Sequence, residues 1–99
     1  MSLAQYLEGS IKQVISNKGN LTLQMINEEY LRLQYFTGEA DWHTEDRDEF
    51  FIVMEGEVFF SVEDQDYSLK KGDLLVVESG KRHRASSPGC VLFSVEPHS

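Results

Sequence analysis

The feature that most constrains this chain is a two-residue alternation of apolar side chains. Leu21, Leu23 and Met25 alternate with Thr22 and Gln24, Leu31, Leu33 and Tyr35 with Arg32 and Gln34, and Val58, Phe60 and Val62 repeat the pattern. Successive side chains of an extended backbone point to opposite faces, so each set collects on one side of a strand, as a half-buried antiparallel sheet requires. Between the runs lie Ser16–Asn20, Asn27–Glu29, Glu55-Gly56, Glu63–Asp66, Lys71–Asp73, Ser79–Lys81 and Ser87–Gly89. Their residues supply the positive φ angles and side-chain hydrogen bonds of turns. About eight or nine short strands at intervals of roughly 8–12 residues follow, the mark of a sandwich or barrel. Only Leu3–Gly9 reads as helix, with Leu3 and Leu7 on one face and Gly9 as a stop. The fold class is all-β, with at most a short N-terminal helix.

At 99 residues the sequence is expected to form a single domain, 1–99, with one modest core. Its net charge of -8 opposes binding to nucleic acid or anionic membranes, both of which need Lys and Arg. The longest apolar runs, Phe50–Met54 and Leu74–Val77, are far too short to span a bilayer. No basic segment precedes an apolar one at the start, so the sequence reads as cytoplasmic. Cys90 is the one cysteine, which excludes an internal disulfide and reads as a small packing residue.

Phe50–Met54 departs from alternation and is apolar on both faces. One face belongs to the core, so the other needs a cover: the N-terminal segment or a second copy of the chain. A homodimer is the expected state.

The charge is concentrated. Residues 38–49 hold Glu39, Asp41, Glu45, Asp46, Asp48 and Glu49 against Arg47 alone. A solvated acidic loop would account for this, but His43 lies inside it. His43 and Glu45 are two apart, so an extended backbone points them the same way. Glu49 opens the next strand, and His83 follows the turn at Gly80. His83 joins the cluster only if the sheet curls back on itself.

In these residues the chain resembles the cupin family, and its small single-domain members in particular. The usual first motif runs glycine, about five residues, His-x-His, three or four residues, Glu, six residues, glycine. Gly38, His43, Glu49 and Gly56 keep this pattern, except that four residues separate Gly38 from His43 and Glu45 stands where the second histidine is usual. In the second motif Gly72, Gly80 and His83 match, while Glu78 replaces a proline and Ser87 an asparagine. Motif 1 thus spans 38–56 and motif 2 spans 72–87. Trp42-His43 through Phe51 is also similar to small bacterial cupins grouped with mannose-6-phosphate isomerases, a grouping that describes the barrel.

The resemblance implies a jelly-roll β-barrel with a divalent metal ion inside, held by His43, Glu49 and His83, with Glu45 in a histidine's place. Imidazoles and carboxylates suit Fe, Mn, Zn or Ni. It also implies a small-molecule ligand or substrate, and a metal-dependent oxygenase or isomerase as one reading. A metal-free binding or sensor module in the same pocket is the other, with Glu45 a loop residue. Each candidate has a plainer role as well: the histidines as surface or core residues, Glu49 as a partner of Arg82 or Arg84, Trp42 and Tyr35 as wall residues. Lys81, Arg82 and Arg84 either attract an anion to the mouth or balance the acidic stretch. Inward Leu, Phe and Tyr residues are expected to line the pocket.

Overall fold

The computed structural model describes residues 3–26 and 28–97, with the side chains of residues 8–23 and 28–96. The elements run α1 (Leu3–Asn17), β1 (Asn20–Ile26), β2 (Glu29–Glu39), β3 (Glu49–Val62), β4 (Gln65–Lys70), β5 (Leu74–Val77) and β6 (His83–Pro97). The strands pair antiparallel in the order β1-β2-β6-β3-β4, with β5 on the first half of β3. The mostly-β expectation holds, but with six strands among the described residues instead of eight or nine.

Two expected turns account for the difference. Glu55-Gly56 and Ser87–Gly89 do not end strands. They lie inside β3 and β6, opposite each other, with Gly56 paired to Cys90 and Glu57 to Gly89, and register shifts fall between Val53 and Glu55 and between Glu57 and Phe59. Gly56 has φ 78°, and a Cβ there would overlap the Gly89 carbonyl oxygen. Conformation and space therefore both demand glycine. Bulges of this kind bend a strand, so β3 and β6 each serve two walls. The first wall holds β1, β2, β5, the start of β3 and the end of β6. The second holds β4, the end of β3 and the start of β6. Among the described residues the hydrogen bonding does not close into a ring.

The main core lies between the walls. Phe51, Val53 and Leu92 of the first meet Val58, Phe60 and Leu69 of the second, and the Phe51 and Phe60 rings are 5.0 Å apart. Cys90 is buried in the same cluster, as its packing role requires. Burial raises its thiol pKa, so the thiol stays protonated and unreactive at neutral pH.

A second cluster sits on the outer side of the first wall, under α1. Val14 packs there against Leu33 and Val91, with Ile11, Tyr35, Met54 and Phe93 around them. Gly9 does not stop the helix, which runs on to Asn17. Ser10, Ile11 and Val14 form a stripe at helical spacing, and its packing outweighs the roughly 1 kcal/mol that an interior glycine costs. The Leu3 and Leu7 side chains expected to begin that stripe lie outside the described residues.

The expected pocket lining is met by Phe36, Phe51, Phe60 and Leu92 and corrected at Tyr35. Leu33 and Tyr35 face outward toward α1, while Gln34 and Phe36 face the interior. Met54 shows how the second face of Phe50–Met54 is covered at one end, by the N-terminal helix. At the other end Phe50 and Ile52 pair with Val76 and Leu74, which stay exposed.

Candidate metal centre

The two histidines occupy matching positions on adjacent stretches of backbone. His43, in the loop between β2 and β3, pairs with His83 at the start of β6 through two hydrogen bonds: each N–H donates to the other's carbonyl at 2.9 Å. The loop is fixed further by Gly80 N–H donating to the Glu45 carbonyl and Ser79 N–H to Asp48 Oδ1, both at 2.8 Å. The imidazole centroids are consequently 4.2 Å apart.

Each ring then repeats one hydrogen bond. His43 Nδ1 meets the Asp41 carbonyl at 3.1 Å, and His83 Nδ1 meets the Lys81 carbonyl at 2.8 Å. A carbonyl oxygen only accepts, so Nδ1 carries the proton in both rings. In the neutral imidazole Nε2 is left with its lone pair, the tautomer of a ligand histidine.

Glu49 comes from the opposite wall, where it begins β3 with its side chain on the inner face of Phe51 and Val53. Its Oε1 lies 3.0 Å from His83 Nε2, and both groups are buried. Neither atom has a hydrogen-bond partner. Two acceptors facing each other in a dry interior repel, so the arrangement calls for a shared proton, on His83 or on Glu49, or for a metal ion. Burial pushes the Glu49 carboxyl above its ordinary pKa, while the His83 imidazole acts in the opposite direction. One donor atom each from His43, Glu49 and His83 lie within 4.8 Å of one another, and this third donor is what an ion pair alone would not need. Neighbouring ligands with bonds of about 2.1 Å to a common ion sit about 3 Å apart at right angles. The Glu49–His83 pair matches that spacing, and with the third donor within 4.8 Å the three side chains supply the donor types that suit a divalent ion.

Glu45 lies beside this group. Its Oε1 is 3.9 Å from His43 Nε2, and both side chains are half-exposed. The plainer readings of the neighbours also resolve. Arg84 pairs with Glu39 at 2.7 Å and so balances the acidic stretch, whereas Lys81 approaches Glu63 and Arg82 stacks on Trp42. Trp42 holds both arginines over its ring, and Tyr35 belongs to the helix-covered cluster.

Behind the three side chains is a cavity of about 140 Å³. Phe36, Phe51, Phe60, Ala85 and Leu92 give it apolar walls, and Gln34 and Glu96 add polar groups. The sequence reading passed over those last two. Gln34 looked like a solvent-face residue, and Glu96 carried one signal, an acidic residue on the same strand face as buried Leu92 and Ser94.

Comparison with known proteins agrees with this fold. A model of the cupin domain matches residues 29–96. The uncharacterised protein YdbB of Bacillus subtilis is 38% identical over 89 residues, which cover 88% of this chain and 79% of that one. A cupin-2 domain protein of Shewanella frigidimarina has a similar structure, with TM-score 0.75 and 31% identity over 80% of this chain and 79% of the other. A Ralstonia eutropha protein provisionally assigned as a mannose-6-phosphate isomerase superposes with TM-score 0.67 over 81% of this chain and 85% of its own. At 17% identity that likeness carries the fold and not an activity. With both spaced motifs, the bent two-walled sheet and these relatives in agreement, the chain belongs to the cupin domain family.

Proposed function

We propose that this cupin is a metalloprotein that binds a small organic molecule inside the barrel, with His43, Glu49 and His83 as its metal ligands. The observation that carries the reading is the facing, unpartnered pair of Glu49 Oε1 and His83 Nε2 at 3.0 Å. Glu45, at the entrance beside His43, is the fourth member of the set. Two imidazoles and one or two carboxylates suit Fe²⁺, Mn²⁺, Zn²⁺ or Ni²⁺. When bound, such an ion supplies Lewis acidity to a ligand oxygen or, as iron, a site for dioxygen, the chemistry of isomerases and oxygenases.

The chain's own residues do the rest. The Asp41 and Lys81 carbonyls hold the two Nδ1 protons and so aim both Nε2 lone pairs. Phe51, Phe60 and Leu92 form dry walls that strengthen electrostatic interactions at the site. Exposed Leu74 and Val76, beside Phe50 and Ile52, support a homodimer through the uncovered end of the first wall. No described helix is long and apolar enough to cross a membrane.

Elemental analysis of protein purified without a His-tag, beside His43→Ala/His83→Ala, tests the metal. About one ion per chain in the wild type and none in the double variant is expected. A wild-type blank that persists after anaerobic reconstitution with all four ions overturns the metal and leaves a metal-free binding module.

A further inference from the structure

Beside the candidate metal ligands lies a second polar group that the motifs do not include. On the inner face of the first wall, β3 presents Glu49 and Phe51, β6 presents Ser94 and Glu96, and β2 presents Arg32 and Gln34. Phe51 pairs with Ser94, and Ser94 with Arg32, so a single row crosses the wall from Phe51, two residues along β3 from Glu49, to the arginine. Arg32 is a cation on the same face of β2 as the cavity-lining Gln34 and Phe36; it stands just outside the cavity's lining and meets it through Glu96.

Its guanidinium is held but not satisfied. It lies over the Tyr30 ring, 4.6 Å from the centroid. Nη1 reaches Glu96 Oε2 only at 3.5 Å, well beyond the roughly 2.7–2.9 Å of a strong charge-assisted bond. Glu96 also accepts from Ser94 Oγ at 3.0 Å, so its carboxylate is shared. Arg32 Nε is buried and has no acceptor. A buried guanidinium donor without a partner is costly, and a planar fork of donors matches a carboxylate.

We propose that Arg32 is the anion-recognition residue of this barrel and that the bound molecule is a small carboxylate. The proposal rests on the reading of the interior as a ligand site, but it stands on atoms outside the metal set. Size follows from the cavity: about 140 Å³ is close to the roughly 150 Å³ of a protein cavity that binds benzene, so the ligand has about six to eight heavy atoms. Aliphatic or aromatic carbons meet Phe36, Phe51, Phe60 and Leu92, and the carboxylate replaces the loose Glu96 contact on Arg32. Glu49 and Glu96 oppose an anion here. With a divalent ion bound, the ion and Arg32 together balance Glu49, Glu96 and the Glu45 at the entrance.

The test is calorimetric titration of Mn²⁺-reconstituted protein with butyrate and with its uncharged counterpart butyramide, with manganese measured on the same samples. Butyrate is expected to bind at least tenfold more tightly than butyramide. Arg32→Gln should cut butyrate affinity at least tenfold with manganese content unchanged, and Arg32→Lys should restore part of it. Glu96→Gln, which removes the competing carboxylate, should tighten butyrate severalfold, and it decides the matter if the Arg32 variants fail to fold. Absence of butyrate binding, equal binding of the two ligands, or indifference of butyrate to Arg32→Gln and Glu96→Gln overturns the proposal. Bound manganese with no carboxylate preference defeats this proposal alone. Arg32-dependent butyrate binding without bound manganese defeats the metal reading alone.

Discussion

The two faces of β2 divide the molecule's tasks in a way that reverses the usual expectation for a half-buried strand. Leu33 and Tyr35 point outward, yet they are covered, because α1 lies over them. Arg32 and Gln34 point inward, yet they meet polar groups, because the interior carries Glu49, His83 and Glu96. The outer face is where burial of apolar surface holds the fold, at about 1.5–3 kcal/mol for each Leu or Val fully buried. The inner face gives up part of that gain to keep charged and titratable groups out of water. Such a loss of stability at one place is expected where a protein binds something.

Substitutions on the two faces should therefore differ in kind. Leu33 is fully buried between α1 and the sheet, so Leu33→Asp should cost more than about 4 kcal/mol and abolish cooperative unfolding in a urea titration. Gly56→Ala comes next, at about 2–3 kcal/mol, because its positive φ and its contact with Gly89 both oppose a Cβ. If Gly56→Ala proves neutral, the bend that separates the two walls does not depend on glycine.

The inner face predicts a smaller effect with a definite sign. Burial raises the Glu49 pKa, so in metal-free protein the folded state keeps a proton that the unfolded chain has released. Stability from this group is fully present below the unfolded carboxylate value of about 4.3 and falls as pH rises through the folded value. Urea unfolding in chelator from pH 4.5 upward should show this loss in the wild type, and the slope should be shallower in Glu49→Gln. A parallel pH dependence in the two proteins would remove Glu49 as its source. Smallest of all, Gln34→Leu should change stability by less than about 1 kcal/mol, since it replaces a polar wall with an apolar one of similar volume. A loss as large as that of an outer-face substitution would erase the contrast between the faces.

The same contrast explains what the sequence made legible. The spacing of Gly38, His43, Glu49, Gly56, Gly72, Gly80 and His83 pointed to the fold and to the three clustered side chains, because backbone turns and ligand positions both depend on fixed intervals. The apolar run Phe50–Met54 demanded a cover on its second face, and α1 supplies one at the Met54 end. Other features were hidden for physical reasons. Period 2 says that two faces differ without saying which is inside, so Arg32 and Gln34 looked solvent-facing. Glu55-Gly56 and Ser87–Gly89 have turn chemistry, and a bulge uses the same chemistry without ending its strand. The helix beyond Gly9 is stabilised by contacts with Leu33 and Val91, residues remote in sequence, which local propensity does not register.

The central claim is that the inner face holds an acceptor pair, Glu49 and His83, that a divalent ion relieves. Thermal unfolding of the wild type and Glu49→Gln, each in chelator and in excess Mn²⁺, tests it most directly. In chelator, at a pH above the raised Glu49 pKa, the variant should melt higher, since it loses a buried charge and its amide can donate to His83 Nε2. In Mn²⁺ the order should invert, with the wild type gaining several degrees, about 4–8 °C for each kcal/mol of selective binding. A wild type that gains nothing from Mn²⁺, Fe²⁺, Zn²⁺ or Ni²⁺, with a variant that melts lower in chelator, would contradict the account.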